Sequence, residues 1–329
     1  MAATEADEAT PPRCAVIGAG GWGRNLVRNL HELGALHSIA EPDAAQRELV
    51  HSLCPEIPIT ADPQEVYNDP QVRAVAIATP VATHYTVAQA ALNADKDVFV
   101  EKPLTSDAQQ AWALVRQAEA KGRLLMVGHL LLFQPAIHWL RTFLAAGHIG
   151  TLRSIHQERL GLGRARDYEN ALWCLGTHDV AVQRFLLNGA TPSAMRVQGQ
   201  SVLQAGIEDD VYLHLDYPSG LQSHLHCSWL WPEKRRSLTI IGSEGMVAYD
   251  EIGQTIQHHR KGINTSLENV DDGAETVYRG HGQPLRLELE HFLDCIQHGS
   301  ACESDGRFGA GIVDLLEQAT NQLRRAQDA

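Results

Sequence analysis

Arg13-Cys14-Ala15-Val16-Ile17-Gly18-Ala19-Gly20-Gly21-Trp22-Gly23 is the stretch whose reading decides the fold. A short apolar run reaches a glycine turn, and residues 25–33 then place Leu26, Val27 and Leu30 on one helical face. Strand, glycine turn and helix is the setting in which G-x-G-x-x-G marks a dinucleotide site. Gly18 permits the tight turn, Gly20 lets a pyrophosphate approach the backbone, and Gly23 lets helix and strand pack closely. Gly21 and Trp22 complete the turn and join the candidate cofactor contacts. The helix N-terminus supplies amide hydrogens to the phosphates. A second strand, residues 36–40, ends in Glu41, placed to accept from adenosine ribose hydroxyls. A carboxylate there repels a 2′-phosphate, so the expected cofactor is NAD.

The alternation continues downstream. Helical patterns over 44–53, 63–68 and 85–93 separate short strands at 57–60, 74–78 and 98–100. Thr83 is expected to cap the third of these helices. Repeated β-α-β units predict a doubly wound parallel sheet. Its strand ends carry Thr79-Pro80, with His84 close behind, and Glu101-Lys102-Pro103, so Thr79, Pro80, His84, Glu101 and Lys102 are expected beside the cofactor. Pro103 disfavours helix at Lys102, so the lysine should project from a strand end, where open α/β sheets bind ligands. A helix over 107–121 stopped by Gly122, and a strand over 124–127, close this domain at His129.

The whole chain has 329 residues, formal net charge -13, 44% hydrophobic and 20% charged residues. That acidity argues against nucleic-acid binding and against attachment to anionic membranes. No apolar run approaches the ~20 residues of a membrane span. Residues 1–12 are acidic and rich in Ala, Thr and Pro, without the features of a signal peptide, and read as a disordered tail on a cytoplasmic protein. Six scattered cysteines without C-x-x-C suggest reduced thiols. His224-Leu225-His226 and His258-His259 lack the partners of a metal set, so no metal is expected.

The second half changes character. A linking helix over 134–146 leads to a long strand, 152–162, and a polar loop. A helix over 177–186 carries His178 in its first turn. Strand-like runs follow near 193–203, 209–217, 221–231 and 236–250, with Pro218-Ser219-Gly220 as a hairpin turn. Amphipathic helices over 284–298 and 308–326 finish the chain. The expected plan is therefore α/β: a tail at 1–12, a Rossmann domain at 13–129, and at 130–329 a substrate-binding and oligomerisation α+β domain. That second domain should hold an open, mostly antiparallel sheet.

Ala15 to Gly23, Ala78-Thr79-Pro80-Val81-Ala82-Thr83-His84, Glu101-Lys102-Pro103-Leu104, Gly128-His129 and Gly147-His148-Ile149-Gly150-Thr151-Leu152 together resemble the glucose-fructose oxidoreductase / inositol dehydrogenase / MocA family. The resemblance spans nearly the whole chain. It implies NAD chemistry with Lys102 and His178 on either side of the carbon that exchanges hydride, and a homodimer or homotetramer formed through the second sheet. An imidazole near pKa 6.5 suits base catalysis at neutral pH, whereas a lysine near 10.4 must be lowered. His178 is thus expected as base, and Lys102 as donor to the reacting oxygen. The reverse assignment stays open. Polyol-acting members commonly carry aspartate four residues before the histidine; here Cys174 stands there.

Residues 158–164 and 169–173 are similar to the subgroup that oxidises nucleotide-activated amino sugars at the 3-hydroxyl. That resemblance implies oxidation of UDP-N-acetylglucosamine, or of its uronic acid, with the 3-ketone passed to an aminotransferase for lipid A or other polysaccharides. Keto-sugar reduction and non-catalytic NAD sensing are the other readings. His129, Arg159, Arg164, Tyr168, Asn170 and Trp173 become substrate candidates beside Lys102 and His178. Arginines suit a diphosphate, and Trp173 or Tyr168 could stack on a base.

Overall fold

The computed structural model describes residues 11–327, so residues 1–10 of the expected tail lie outside the described residues. The described residues divide into two compact units, 11–128 with 285–310, and 129–284 with 311–327.

In the first unit the chain runs β1 (Cys14–Ile17), α1 (Gly23–Glu32), β2 (Leu36–Ala40), α2 (Ala44–His51), β3 (Ile59–Thr60) and α3 (Pro63–Asn68). It continues through β4 (Ala74–Ile77), α4 (Val81–Asn93), β5 (Asp97–Glu101), α5 (Ala108–Lys121) and β6 (Leu125–Gly128). Every neighbouring pair in the sheet is parallel, in the order β3-β2-β1-β4-β5-β6. Such strands are covered on both faces, which is why β1 and β4 are buried throughout and built of small or branched residues. The order reverses direction between β1 and β4. Ligands of open α/β sheets bind outside the carboxyl ends of strands at that switch point. Gly18 and Thr79 follow those two ends.

Thr83 does not cap α4. The helix begins at Val81 after Pro80, and the Thr83 hydroxyl donates back to the Pro80 carbonyl at 2.7 Å inside the first turn.

The second unit runs α6 (Pro135–Ala145), β7 (Leu152–Leu162), α7 (Thr177–Leu186), β8 (Ala194–Gln200), β9 (Asp210–Asp216) and β10 (Gln222–Ser228). Then come β11 (Leu230–Gly242), β12 (Met246–Asp250), β13 (Thr255–Ile263) and β14 (Asn269–Arg279). The eight strands are ordered β14-β13-β12-β11-β7-β10-β9-β8, antiparallel except where β10 pairs with β7. Alternation sets the faces: Val211, Leu213 and Leu215 of β9 are buried, while Tyr212 is exposed. The run expected as one strand over 236–250 is broken by a tight turn, in which the Gly242 amide donates to the Gly245 carbonyl at 2.8 Å. The hairpin of β13 and β14 has no counterpart in the sequence reading. Its outer strand is mostly exposed and carries Asp271, Asp272 and Glu275.

The chain then passes through α8 (Pro284–His298) and α9 (Gly306–Gln327). Here the expected boundary is revised, because residues 285–310 belong to the first unit. Phe292 of α8 is fully buried with its ring edge on Phe99 at 5.7 Å. Burying such a side chain contributes about 1.5–3 kcal/mol, and the ring geometry adds roughly 0.5–1.5. The loop after α8 pairs with the sheet edge, the Val127 amide donating to the Ser304 carbonyl at 2.8 Å. No helix among the described residues is long and apolar enough to cross a membrane.

Candidate active site

The glycine turn is shaped by what a β-carbon would meet. At Gly23 it would lie 2.0 Å from the Gly18 carbonyl oxygen, and at Gly18 it would press on Ala78 and Thr79 at 2.9 Å. Gly18 also sits at φ +90°, which side chains rarely adopt. Gly20 and Gly21 differ, since a β-carbon on either meets no atom within 4 Å. Their bare backbone faces open space that a side chain would fill. The first turn of α1 holds no acidic residue and no side-chain cap, so nothing there repels an anion, although the Arg24 and Asn25 amides already donate to the Gly20 and Trp22 carbonyls at 3.1 and 2.8 Å. This donor set fits the pyrophosphate of NAD.

Glu41 is buried at the end of β2. One oxygen accepts from the Ala19 amide at 2.6 Å and the other from the Asp43 amide at 2.9 Å, so it braces the glycine turn. A carboxylate has about four acceptor positions, and the remaining ones suit ribose hydroxyls.

His84 departs from its expected place beside the cofactor. It is buried, with Nδ1 2.9 Å from the Pro103 carbonyl and Nε2 2.9 Å from the Thr79 carbonyl. Burial pulls its pKa down while the two carbonyls oppose that shift. The ring thus ties the Thr79-Pro80 turn to the residue after Lys102, a bracing role in place of a contact role. The Lys102-Pro103 peptide is cis.

Glu101 closes β5 beside Lys102. The Trp22 indole donates to its carboxylate, and the Lys102 amide approaches it at 3.3 Å. Burial pushes Glu101 up to about 7, against the pull of Trp22 and Lys102. A second carboxyl contributes to this environment: Glu288 of α8 is fully buried with neither oxygen hydrogen-bonded. Burial, and then the charge of Glu101, raise Glu288 well above the ordinary carboxylate range. Sequence reasoning assigned Glu288 nothing, because an i, i+3, i+4 pattern cannot tell a buried glutamate from a surface one.

In the second unit the candidate side chains gather around a helix start of unusual form. Leu172–Gly176 makes a π-turn that runs straight into α7. Such turns concentrate at functional sites. The Thr177 hydroxyl donates to the Trp173 carbonyl at 2.5 Å, and His178 follows, half-buried. Asn170 holds the entrance: its oxygen accepts from the Trp173 amide at 3.1 Å and its nitrogen donates to Glu208 at 2.7 Å. The Trp173 indole donates to Thr320 at 2.8 Å. Both residues expected on substrate thus spend polar groups on building the turn.

Arg159 requires a correction. It is buried, and its Nε lies 2.9 Å from both oxygens of Asp179, while Nη1 and Nη2 reach Glu251 at 3.2 and 2.6 Å. All three guanidinium nitrogens are committed inside the protein, with Gln157 donating to the same Asp179 at 2.8 Å. Arg159 is a structural clamp between β7, α7 and the end of β12. Arg164 and Tyr168 are exposed on the polar loop, and His129 is buried just after β6. At Arg166, left without a role by the sequence reading, burial works against the charge, and the neighbouring Cys174, Tyr168 and Glu169 outweigh it and raise the pKa.

Two of the histidines weighed for metal face neighbouring side chains. His224 Nδ1 faces His214 Nδ1 at 2.7 Å, and His226 Nε2 faces Asp210 at 3.1 Å. Among the described residues the group of metal-ligating type is instead His291, Cys295 and Cys302.

Two family profiles match the chain: "Oxidoreductase family, NAD-binding Rossmann fold" over residues 12–129, and "GFO/IDH/MocA C-terminal domain" over residues 137–248. A UDP-N-acetylglucosamine 3-dehydrogenase of Acidithiobacillus ferrooxidans is 28% identical over 320 residues, covering 96% of this chain and 97% of that protein. An inositol 2-dehydrogenase of Mycolicibacterium smegmatis is 31% identical, covering 89% of this chain and 86% of that protein. The solved structure of the Acidithiobacillus enzyme superposes with TM-score 0.83 at 25% identity over 94% of this chain and 97% of that one. With its NAD-binding Rossmann unit and its antiparallel second sheet, the chain belongs to the GFO/IDH/MocA family of oxidoreductases.

Proposed function

We propose that this NAD-dependent dehydrogenase oxidises the 3-hydroxyl of a UDP-amino sugar, converting UDP-N-acetylglucosamine to its 3-keto form. The observation that carries the reading is the near end-to-end similarity, in sequence and in structure, to a protein with that activity. The inositol dehydrogenase relative favours a second reading, oxidation of a cyclic polyol. Cys174, standing where polyol-acting members commonly have aspartate, weighs against it.

In this proposal His178 takes the hydroxyl proton and Lys102 donates to the oxygen as it becomes a carbonyl. Bound NAD supplies the hydride acceptor. The Gly18 to Gly23 turn and Glu41 hold the cofactor, while Arg164 and Tyr168, exposed on the polar loop, take the nucleotide diphosphate and base. A 3-ketone is the substrate type of an aminotransferase, so such an enzyme is the proposed partner, feeding 3-amino sugars to lipid A or related polysaccharides. Location in the cytoplasm, where NAD and nucleotide sugars are both available, belongs to the same proposal. So does a homodimer or homotetramer, supported by the exposed Tyr212 and the histidines on the outer face of β9 and β10.

The test incubates the full chain with NAD and, separately, UDP-N-acetylglucosamine, its uronic acid, myo-inositol and scyllo-inositol, with an aminotransferase present to draw off ketone. NADH with the UDP-sugar supports the reading. NADH with the inositols alone overturns it, as does none with any of them.

A further inference from the structure

We propose that His291, Cys295 and Cys302 form a binding site for a zinc-type divalent cation, riveting α8 to the loop that joins it to α9. No part of the dehydrogenase reading requires such a site. His291 and Cys295 are four residues apart on α8 and therefore share a face, and Cys302 approaches them from the loop. One donor atom from each lies within 4.8 Å of the others. The residue types are those zinc selects, two sulfurs and an imidazole.

The distances bear on the geometry directly. Bonds of about 2.3 Å to sulfur and about 2.0 Å to nitrogen around a tetrahedral ion separate sulfur from nitrogen by about 3.5 Å and the two sulfurs by about 3.8 Å. Cys295 Sγ lies 3.5 Å from His291 Nε2. One edge of the tetrahedron is therefore already in place, and because all three donor atoms lie within 4.8 Å, Cys302 needs a shift of about 1.3 Å at most. The Glu303 amide, now 3.1 Å from His291 Nε2, must give up that nitrogen to the metal. Water or the Glu303 carboxylate completes the fourth position.

Charge along the chain points the same way: Asp294 precedes Cys295, and Glu303 and Asp305 follow Cys302. A divalent cation suits such a run of negative groups. Binding releases both thiol protons, and the imidazole binds neutral. Access is open, since His291 and Cys302 are only half-buried. The loop held in this way is the one whose Ser304 carbonyl accepts from Val127 at the sheet edge, so the ion would act on the stability of the first unit.

The test uses the full-length protein, reduced and stripped with a chelator, titrated with zinc against a chromophoric competitor and with cobalt by absorbance. One ion per chain is expected, with thiolate-to-cobalt charge-transfer absorption and a raised melting temperature. Cys302→Ser should weaken binding by more than about 100-fold, because even outer residues around a site cost about 10- to 100-fold. Cys302→Asp, which keeps a ligand, should bind between the two. A His214→Ala/His224→Ala control should keep the tight site. Unchanged binding in Cys302→Ser overturns the proposal, as do loss of binding in the control, absence of tight binding in the reduced protein, or recovery of only a Cys295–Cys302 disulfide.

Discussion

The two units hold their candidate residues by different means. In the first, the candidate cofactor elements are backbone: Gly20 and Gly21 present bare peptide, and the first turn of α1 carries no side-chain cap. In the second, side chains do the holding. Arg159, Asp179, Glu251 and Gln157 lock to one another beneath the sheet, and Asn170 and Trp173 build the π-turn before His178. A backbone site tolerates side-chain change at its rim but not an added β-carbon. A side-chain lattice fails when one charge is removed.

The sharpest way to separate the lattice from the chemistry is His178→Asn. If His178 is the base, turnover should fall by roughly 10² to 10⁴ while NAD affinity, measured by fluorescence titration, stays unchanged. A variant with near-normal turnover would return the base role to Lys102. Its neighbour behaves otherwise: Asp179→Ala leaves Arg159 buried and half-paired, at a cost of about 3–5 kcal/mol in a denaturant titration. Set against it, Gly20→Ala should leave the melting temperature in place, because its β-carbon meets nothing, yet weaken NAD binding by at least about tenfold, near 1.4 kcal/mol. Loss of stability in Gly20→Ala with NAD affinity intact would break the comparison.

The smallest effect concerns Glu288. A carboxyl whose pKa is raised on folding binds more protons folded than unfolded, so its contribution is most favourable below the ordinary value of 4.5 and declines as pH rises toward the folded value. Glu101, raised to about 7, declines over the same interval. Glu288→Gln removes one of the two titrations. Melting curves at pH 5 and pH 8 should show the variant gaining on the unaltered protein at pH 8, and a gain confined to pH 5 would contradict the assignment.

What could be read from the sequence follows the same division. The glycine turn and the alternation of the first domain were legible because backbone requirements dictate residue type. Arg159 was not, since an arginine on a strand looks alike whether it faces substrate or an aspartate twenty residues away on α7. The return of residues 285–310 to the first unit was hidden for a related reason: an amphipathic helix shows that it has a buried face, not which core receives Phe292. His291 and Cys295 did carry a signal, their four-residue spacing on a helix. Cys302 joins them only through the path of the loop.

The central claim is that hydride leaves the sugar C3 of a UDP-amino sugar for NAD. It is tested most directly with UDP-N-acetylglucosamine carrying deuterium at C3, incubated with NAD and the full chain, with the reduced cofactor analysed by mass spectrometry. The account predicts one deuterium in every NADH formed, and none when the label sits at C4. Unlabelled NADH from the C3-labelled sugar, or labelled NADH from the C4-labelled one, would contradict it.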